Sequence, residues 1–249
     1  MAKFAYTTPY GINGKLVDAA EQPIYSQKTF YCSTKGCCAR MYLRSAQKRS
    51  ATFASYPKEP HSGGYACKWK HEFHPDQYDE KMFILKNCYD YIFGSDEDTR
   101  DRAPGKEVGK AGSNRQIPVK TLKQLFQACI YYRDTGEYNR YRIDDILVDG
   151  FSPLSVLPLR GRRIIVCTFI RYDSDNETVR VKTMIQGNSH YIDLYSTDGK
   201  TYRQLRKKLY NNNKENNYFV VAGEWSSTNN CCVAQCTITS VSKQICKAT

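Results

Sequence analysis

The chain has 249 residues, 37 Lys and Arg against 25 Asp and Glu, and a formal charge of +12, which points toward polyanionic partners. No apolar run approaches the roughly 20 residues that cross a bilayer, and the opening MAKFAYTTPYGINGK lacks the apolar core of a signal peptide. The expectation is a soluble, cytoplasmic protein with no membrane partner, long enough for about two domains. Eleven cysteines are an odd number in a long chain, which favours thiols and metal over a disulfide framework.

The positive surplus sits at the two ends. Residues 1–93 carry +5 and residues 161–249 carry +6, with a nearly neutral middle. Both ends are therefore candidate binding surfaces.

The first thirty residues hold Pro9, Gly11, Gly14 and Pro23 without a sustained period, so extended structure is expected to lead into a strand near Gln27–Tyr31. From Tyr31 to His74 the chain gathers four cysteines and three of its four histidines. Thiolates and imidazoles on Gly-bearing turns suit a tetrahedral structural zinc site. Cys32 and Cys37 form a Cys-x4-Cys half around Gly36, and His61 and Cys67 a His-x5-Cys half around Gly63 and Gly64. Cys38 is an alternative to Cys37, and His71 or His74 to His61. The runs Ala39–Leu43 and Ala51–Tyr56 between the halves read as a hairpin. The arrangement, with TFASY before the histidine, resembles the Cys- and His-bearing N-terminal region of competence-protein-like and mobile-element proteins. That resemblance spans some forty residues and carries no activity with it. Four protein ligands leave no open position, so the zinc would be structural. Arg40, Arg44, Lys48 and Arg49 form a basic strip free of acids and interleaved with Tyr42, a candidate phosphate contact.

Asp76–Phe93 places Met82, Phe83, Leu85 and Tyr89 on one helical stripe, expected to pack on the metal module and to complete a unit over 1–93. Residues 94–116, dense in charge and glycine, read as a linker or mobile loop. Residues 117–160 read as a helical connector or cap. Pro118 opens a helix there, with Val119, Leu122, Leu125, Phe126 and Cys129 on one face.

Residues 161–249 carry the clearest fold pattern. Strand-like runs at Arg163–Tyr172, Glu177–Ile185 and Ser189–Tyr195 precede a helix at Gly199–Tyr210 and two more strands, Tyr218–Trp225 and Cys231–Val241. Three strands, a helix and two strands is the order of a five-stranded OB barrel. The predicted fold class is thus α+β and mostly β, a zinc-ribbon-like module followed by an OB-like barrel. Alternation turns Val179, Val181, Thr183 and Ile185 inward, and Arg180, Lys182, Tyr191, Asp193 and Tyr195 outward. Cations interleaved with stacking rings are what a single-stranded nucleic-acid groove needs. Trp225 either stacks a base at the mouth or pins the barrel end. Asp173, Asp175 and Glu177 resemble a cation-binding spacing, but the loop lacks the glycine and distal glutamate of a calcium site, so a hairpin turn is expected. The helix adds Arg203, Arg206, Lys207 and Lys208.

No phosphate-binding Gly-rich loop, His-Glu-x-x-His, nucleophile elbow or zinc-deaminase signature occurs. No catalytic residue is assigned. The leading expectation is a nucleic-acid-binding protein, for DNA or RNA, with single strands favoured and little sequence preference. One alternative is a mobile-element module that binds or inhibits a protein partner. The other is a metal-dependent nuclease using Asp144, Asp145 and Asp149.

Overall fold

The computed structural model describes residues 3–23, 28–34, 36–46, 48, 51–56, 59, 61–68, 71, 73–94, 116–210, 218–228 and 234–248. Arg49, nearly all of the expected linker at 94–116, and Cys231 and Cys232 lie outside them. Two compact units emerge, one up to Glu72 and one over Phe73–Ala248. Among the described residues no helix is long and apolar enough to cross a membrane.

The first unit is a five-stranded antiparallel sheet. Its strands are β1 (Phe4–Tyr6), β2 (Leu16–Asp18), β3 (Phe30–Cys32), β4 (Arg40–Arg44) and β5 (Thr52–Ser55), in the order β2-β1-β3-β4-β5. The predicted hairpin is β4–β5, with Met41 opposite Ser55 and Leu43 opposite Phe53. The lead-in expected as extended structure supplies β1 and β2, strands of three residues each that are too short to show a period. The core beneath the sheet is small: Phe30 and Phe53, with ring centroids 4.8 Å apart, Met41, several alanines, and Cys32, Cys37 and Cys67 themselves.

The second unit begins with α1 (Leu85–Phe93) and α2 (Leu122–Tyr131). The short hairpin β6 (Glu137–Tyr138) and β7 (Tyr141–Arg142), α3 (Ile143–Ile146) and β8 (Leu147–Val148) follow. Then come β9 (Gly161–Asp173), β10 (Thr178–Ile185), β11 (Asn188–Ser196), α4 (Gly199–Tyr210), β12 (Phe219–Trp225), β13 (Ala234–Ile238), α5 (Val241–Gln244) and β14 (Ile245–Lys247). Helix α1 is shorter than the predicted Asp76–Phe93, because Pro75–Gln77 and Glu80–Met82 form separate single turns. It packs on α2 and α5 within the second unit. The segment expected as a connector is likewise built into this unit, since β8 pairs with β9 and α2 packs on β12 and β14.

The strands form a seven-stranded mixed sheet in the order β13-β11-β10-β9-β12-β14, with β8 beside β9. Only β11–β13 and β8–β9 are parallel. The sheet is not closed into the expected five-stranded barrel. Among the described residues a single bridge joins the β12 end and β13, Ser226 with Gln235, whose two N–H···O bonds measure 3.0 and 2.9 Å. Strand β14 extends the β12 side and takes up the edge that a closing ladder would have used. The β10–β11 connection is the two-residue turn Gln186–Gly187, both at positive φ, the backbone twist that suits a tight hairpin. Alternation on β10 is strict, with Val179, Val181, Thr183 and Ile185 buried and the residues between them half-exposed. The core combines these with Ile192 and Leu194 of β11, Phe219 and Val221 of β12, and Tyr202, Leu205 and Leu209 of α4.

Candidate metal centre and basic aromatic face

Strand β3 ends at Cys32, and the turn after it returns through Gly36 at φ 84° to Cys37. The Cys37 amide donates to the Thr34 carbonyl at 3.0 Å, and the Thr34 amide lies 3.4 Å from Cys32 Sγ. Facing this turn, the His61–Cys67 segment passes through Gly63 and Gly64. A Cβ on Gly63 would stand 2.9 Å from Cys37 Cβ and 3.0 Å from Cys67 Cβ, so only glycine lets the two turns approach this closely.

Cys32 Sγ lies 3.8 Å from Cys67 Sγ, and His61 Nδ1 lies 3.5 Å from Cys37 Sγ and 3.4 Å from Cys67 Sγ. All four donor atoms fall within 4.8 Å of one another. A tetrahedral ion with bonds of ~2.3 Å to sulfur and ~2.0 Å to nitrogen separates two sulfurs by ~3.8 Å and sulfur from nitrogen by ~3.5 Å. The donor set therefore fits a structural metal such as zinc, and its sulfurs are too far apart for a disulfide. The three cysteines are buried and His61 is half-buried. Crowding splits the thiols. Hydrogen bonds from Cys32 and Cys67 hold Cys37 far below the usual thiol range, while the contacts with Cys37 and Cys67 push Cys32 far above it. Hydrogen bonds to Cys37 and Cys67 raise His61 to about 9.

The alternatives are resolved by geometry. Cys38 points away, its Sγ 2.9 Å from Ser62 Oγ. His71 Nε2 is 2.6 Å from the Tyr65 carbonyl, and His74 is an exposed residue of the second unit. Among the described residues this is the single cluster of His, Cys, Asp and Glu donors arranged to hold an ion. The candidate nuclease carboxylates do not converge. Asp149 is buried and ion-paired with Arg133, it accepts from the Phe151 amide at 3.0 Å, and Asp145 is exposed. Asp173 is likewise a turn residue, accepting from the amides of Asp175 and Asn176 at 3.0 and 3.1 Å. Burial raises Cys88 and Cys167 to about 12 and Cys246 to about 11. Cys88 and Cys167 are buried core thiols and Cys246 is half-buried.

The basic strip on β4 is real but not free of acids. Arg40, Tyr42 and Arg44 share one face by alternation, and Arg40 is paired with Glu59 through both its guanidinium and its amide. Glu59 escaped the sequence reading because it lies beyond β5, where no period linked it to Arg40. Lys48 is exposed.

On the second unit Arg180, Lys182, Tyr191 and Tyr195 do share the outer face of β10–β11. The register sets Lys182 opposite Tyr191 and Thr178 opposite Tyr195. Tyr191 is 41% and Tyr195 38% exposed. Between them Arg180 forms a two-point ion pair with Asp193 (2.7 and 2.8 Å), its direct cross-strand neighbour. Alternation turns both outward, and the register sets them opposite one another, where they pair. Arg171 of β9, exposed and opposite Arg180, joins the same row. Trp225 belongs to the core: it is 3% exposed, its indole N–H donates to the Arg163 carbonyl at 3.0 Å, and its ring packs over Gly223. It pins the sheet end and has no free face for a base. Lys208 also turns inward, donating to the carbonyls of Val241 and Ile245.

No protein-family model, curated protein or solved structure matches the chain, so what it does has to be read from its own residues.

Proposed function

We propose that the protein binds single-stranded nucleic acid on the outer face of β9–β11, and that zinc held by Cys32, Cys37, His61 and Cys67 orders its N-terminal unit. The order β13-β11-β10-β9-β12, with parallel β11–β13 and one bridge toward β12, supports an OB-like strand plan, and the strand 2–3 face is where that plan binds oligonucleotides. The observation that carries the reading is the pair Tyr191 and Tyr195. They flank one strand position on an exposed face, about 14 Å apart along the strand, with Lys182 and Arg171 alongside. Among the described residues neither ring nor the Lys182 ammonium has a hydrogen-bond, ion-pair or ring partner in the protein. The rings are available to stack bases and the ammonium to meet a phosphate. Asp193 neutralises Arg180, so Lys182 and Arg171 are the cations this face offers. The β4 face, with Arg44 and Tyr42, is a lesser contact because Glu59 neutralises Arg40.

Titration of a labelled single-stranded oligonucleotide tests this. Tyr191→Ala with Tyr195→Ala is expected to weaken binding by ~2 kcal/mol or more, since each stacked ring contributes ~1–3 kcal/mol. Equal binding by this variant and the unsubstituted chain would remove the sheet face from the account. A single stoichiometric protein partner, retained after nuclease treatment, would favour the protein-binding alternative.

A further inference from the structure

The exposed face of α4 carries Arg203, Arg206 and Lys207, and its twelve residues include no acid. The helix dipole accounts for cations in the last turn, but not for Arg203 in the middle or for the missing acid three or four residues away that would ordinarily relieve it. Like charges at those spacings oppose helix formation, so the face is built against local stability. Two of its members are held in place. Arg206 lies over the Tyr172 ring at 4.1 Å and donates to its hydroxyl at 3.3 Å, and Arg203 Nε donates to the Gly199 carbonyl at 3.1 Å. Tyr210 packs edge-on to Tyr172 and is 48% exposed. Among the described residues the Lys207 ammonium has no partner. Among the described residues the acids near the helix, Asp198 and Glu177, lie at its first turn. Asp198 is occupied in capping it through Thr201, and Glu177 lies against Gly199.

We infer that this face of α4 is a second nucleic-acid contact, one that grips the sugar-phosphate backbone without reading or stacking bases. Guanidiniums pre-oriented by a ring and a carbonyl, next to an exposed ammonium, match a row of phosphate oxygens. The occupant is a polyanion by charge complementarity, and a nucleic-acid strand in particular because the same unit presents the β9–β11 face; to that extent the inference rests on the proposed function. Backbone contacts of this kind appear as salt dependence, whereas stacking contacts do not.

The test compares the full-length chain with two variants, using labelled oligothymidylate over a range of salt. Arg203→Gln with Lys207→Gln is expected to reduce the slope of log K against log salt by ~1.4, about 0.7 for each single-strand phosphate lost. The charge-keeping pair Arg203→Lys with Lys207→Arg should restore the slope. Tyr191→Ala with Tyr195→Ala should lower affinity at every salt concentration with the slope unchanged. An unchanged slope in the Gln variant overturns the α4 contact while leaving the sheet face standing. Wild-type affinity in the Ala variant, with a reduced slope in the Gln variant, overturns the sheet face and keeps α4. Competition by polyglutamate as effective as competition by unlabelled oligonucleotide would overturn the nucleic-acid assignment of the helix.

Discussion

Single side chains separate structural roles from functional ones. Asp149 looks from sequence like a candidate metal carboxylate, yet it is buried and ion-paired with Arg133, whose side chain is 21% exposed and lies over the Phe151 ring at 4.9 Å. Removing one partner strands the other charge. Arg133→Ala, which leaves the buried Asp149 carboxylate unpaired, is therefore expected to destabilise the second unit by about 3–5 kcal/mol, read as a shift of the urea midpoint with unchanged m-value. Gln244 plays a comparable part without charge. Its Oε1 accepts from the Thr239 amide and hydroxyl and the Ser240 amide at 2.8–2.9 Å, while Nε2 donates to Ala222. Such hubs are invisible in sequence because their partners come from turns and a distant strand. The metal ligands were legible for the opposite reason. Cys and His on Gly-bearing turns are rare enough to identify themselves, and the choices between Cys37 and Cys38 and among His61, His71 and His74 needed the fold.

At the scale of elements, alternation located β10 and β11 to within a residue or two, because one face is buried and the other is wet. Strand β12, buried on nearly every residue, was legible as an apolar run, expected at Tyr218–Trp225 and found at Phe219–Trp225. The pattern failed for β14, three residues that follow a helix of four and are too short to show a period. Without β14 the sheet looked as if it should close into a barrel. Helix α2 was legible through its stripe, and its start is fixed by a capping box. Thr121 Oγ1 accepts from the Gln124 amide at 3.3 Å, and Gln124 Oε1 accepts from the Thr121 amide at 3.1 Å. Thr121→Ala should cost about 1 kcal/mol, measured by thermal unfolding, with Thr121→Ser close to neutral.

Over the whole molecule, the two units differ in what holds them together. The second has a continuous core of branched and aromatic side chains. The first buries two phenylalanines, a methionine, alanines and its own ligand cysteines, too little apolar area for a domain of about 70 residues to be comfortable without a staple. Metal binding then becomes folding free energy. Treatment with a strong chelator is expected to unfold the first unit and leave the second intact, seen as loss of amide protection confined to residues before Phe73. Acid should do the same. The released ligands bind protons that the metal-bound ligands cannot, so metal retention is full at neutral pH and above and declines as pH falls through the range where thiolates and His61 take up protons.

The most direct measurement is the metal content of the purified chain and two cysteine variants. About one zinc per chain is predicted, kept by Cys38→Ser, whose thiol faces Ser62, and lost by Cys67→Ser, whose sulfur lies 3.8 Å from Cys32 and 3.4 Å from His61. A folded, protected first unit containing no metal, or a metal that survives Cys67→Ser and leaves with Cys38→Ser, would contradict the account.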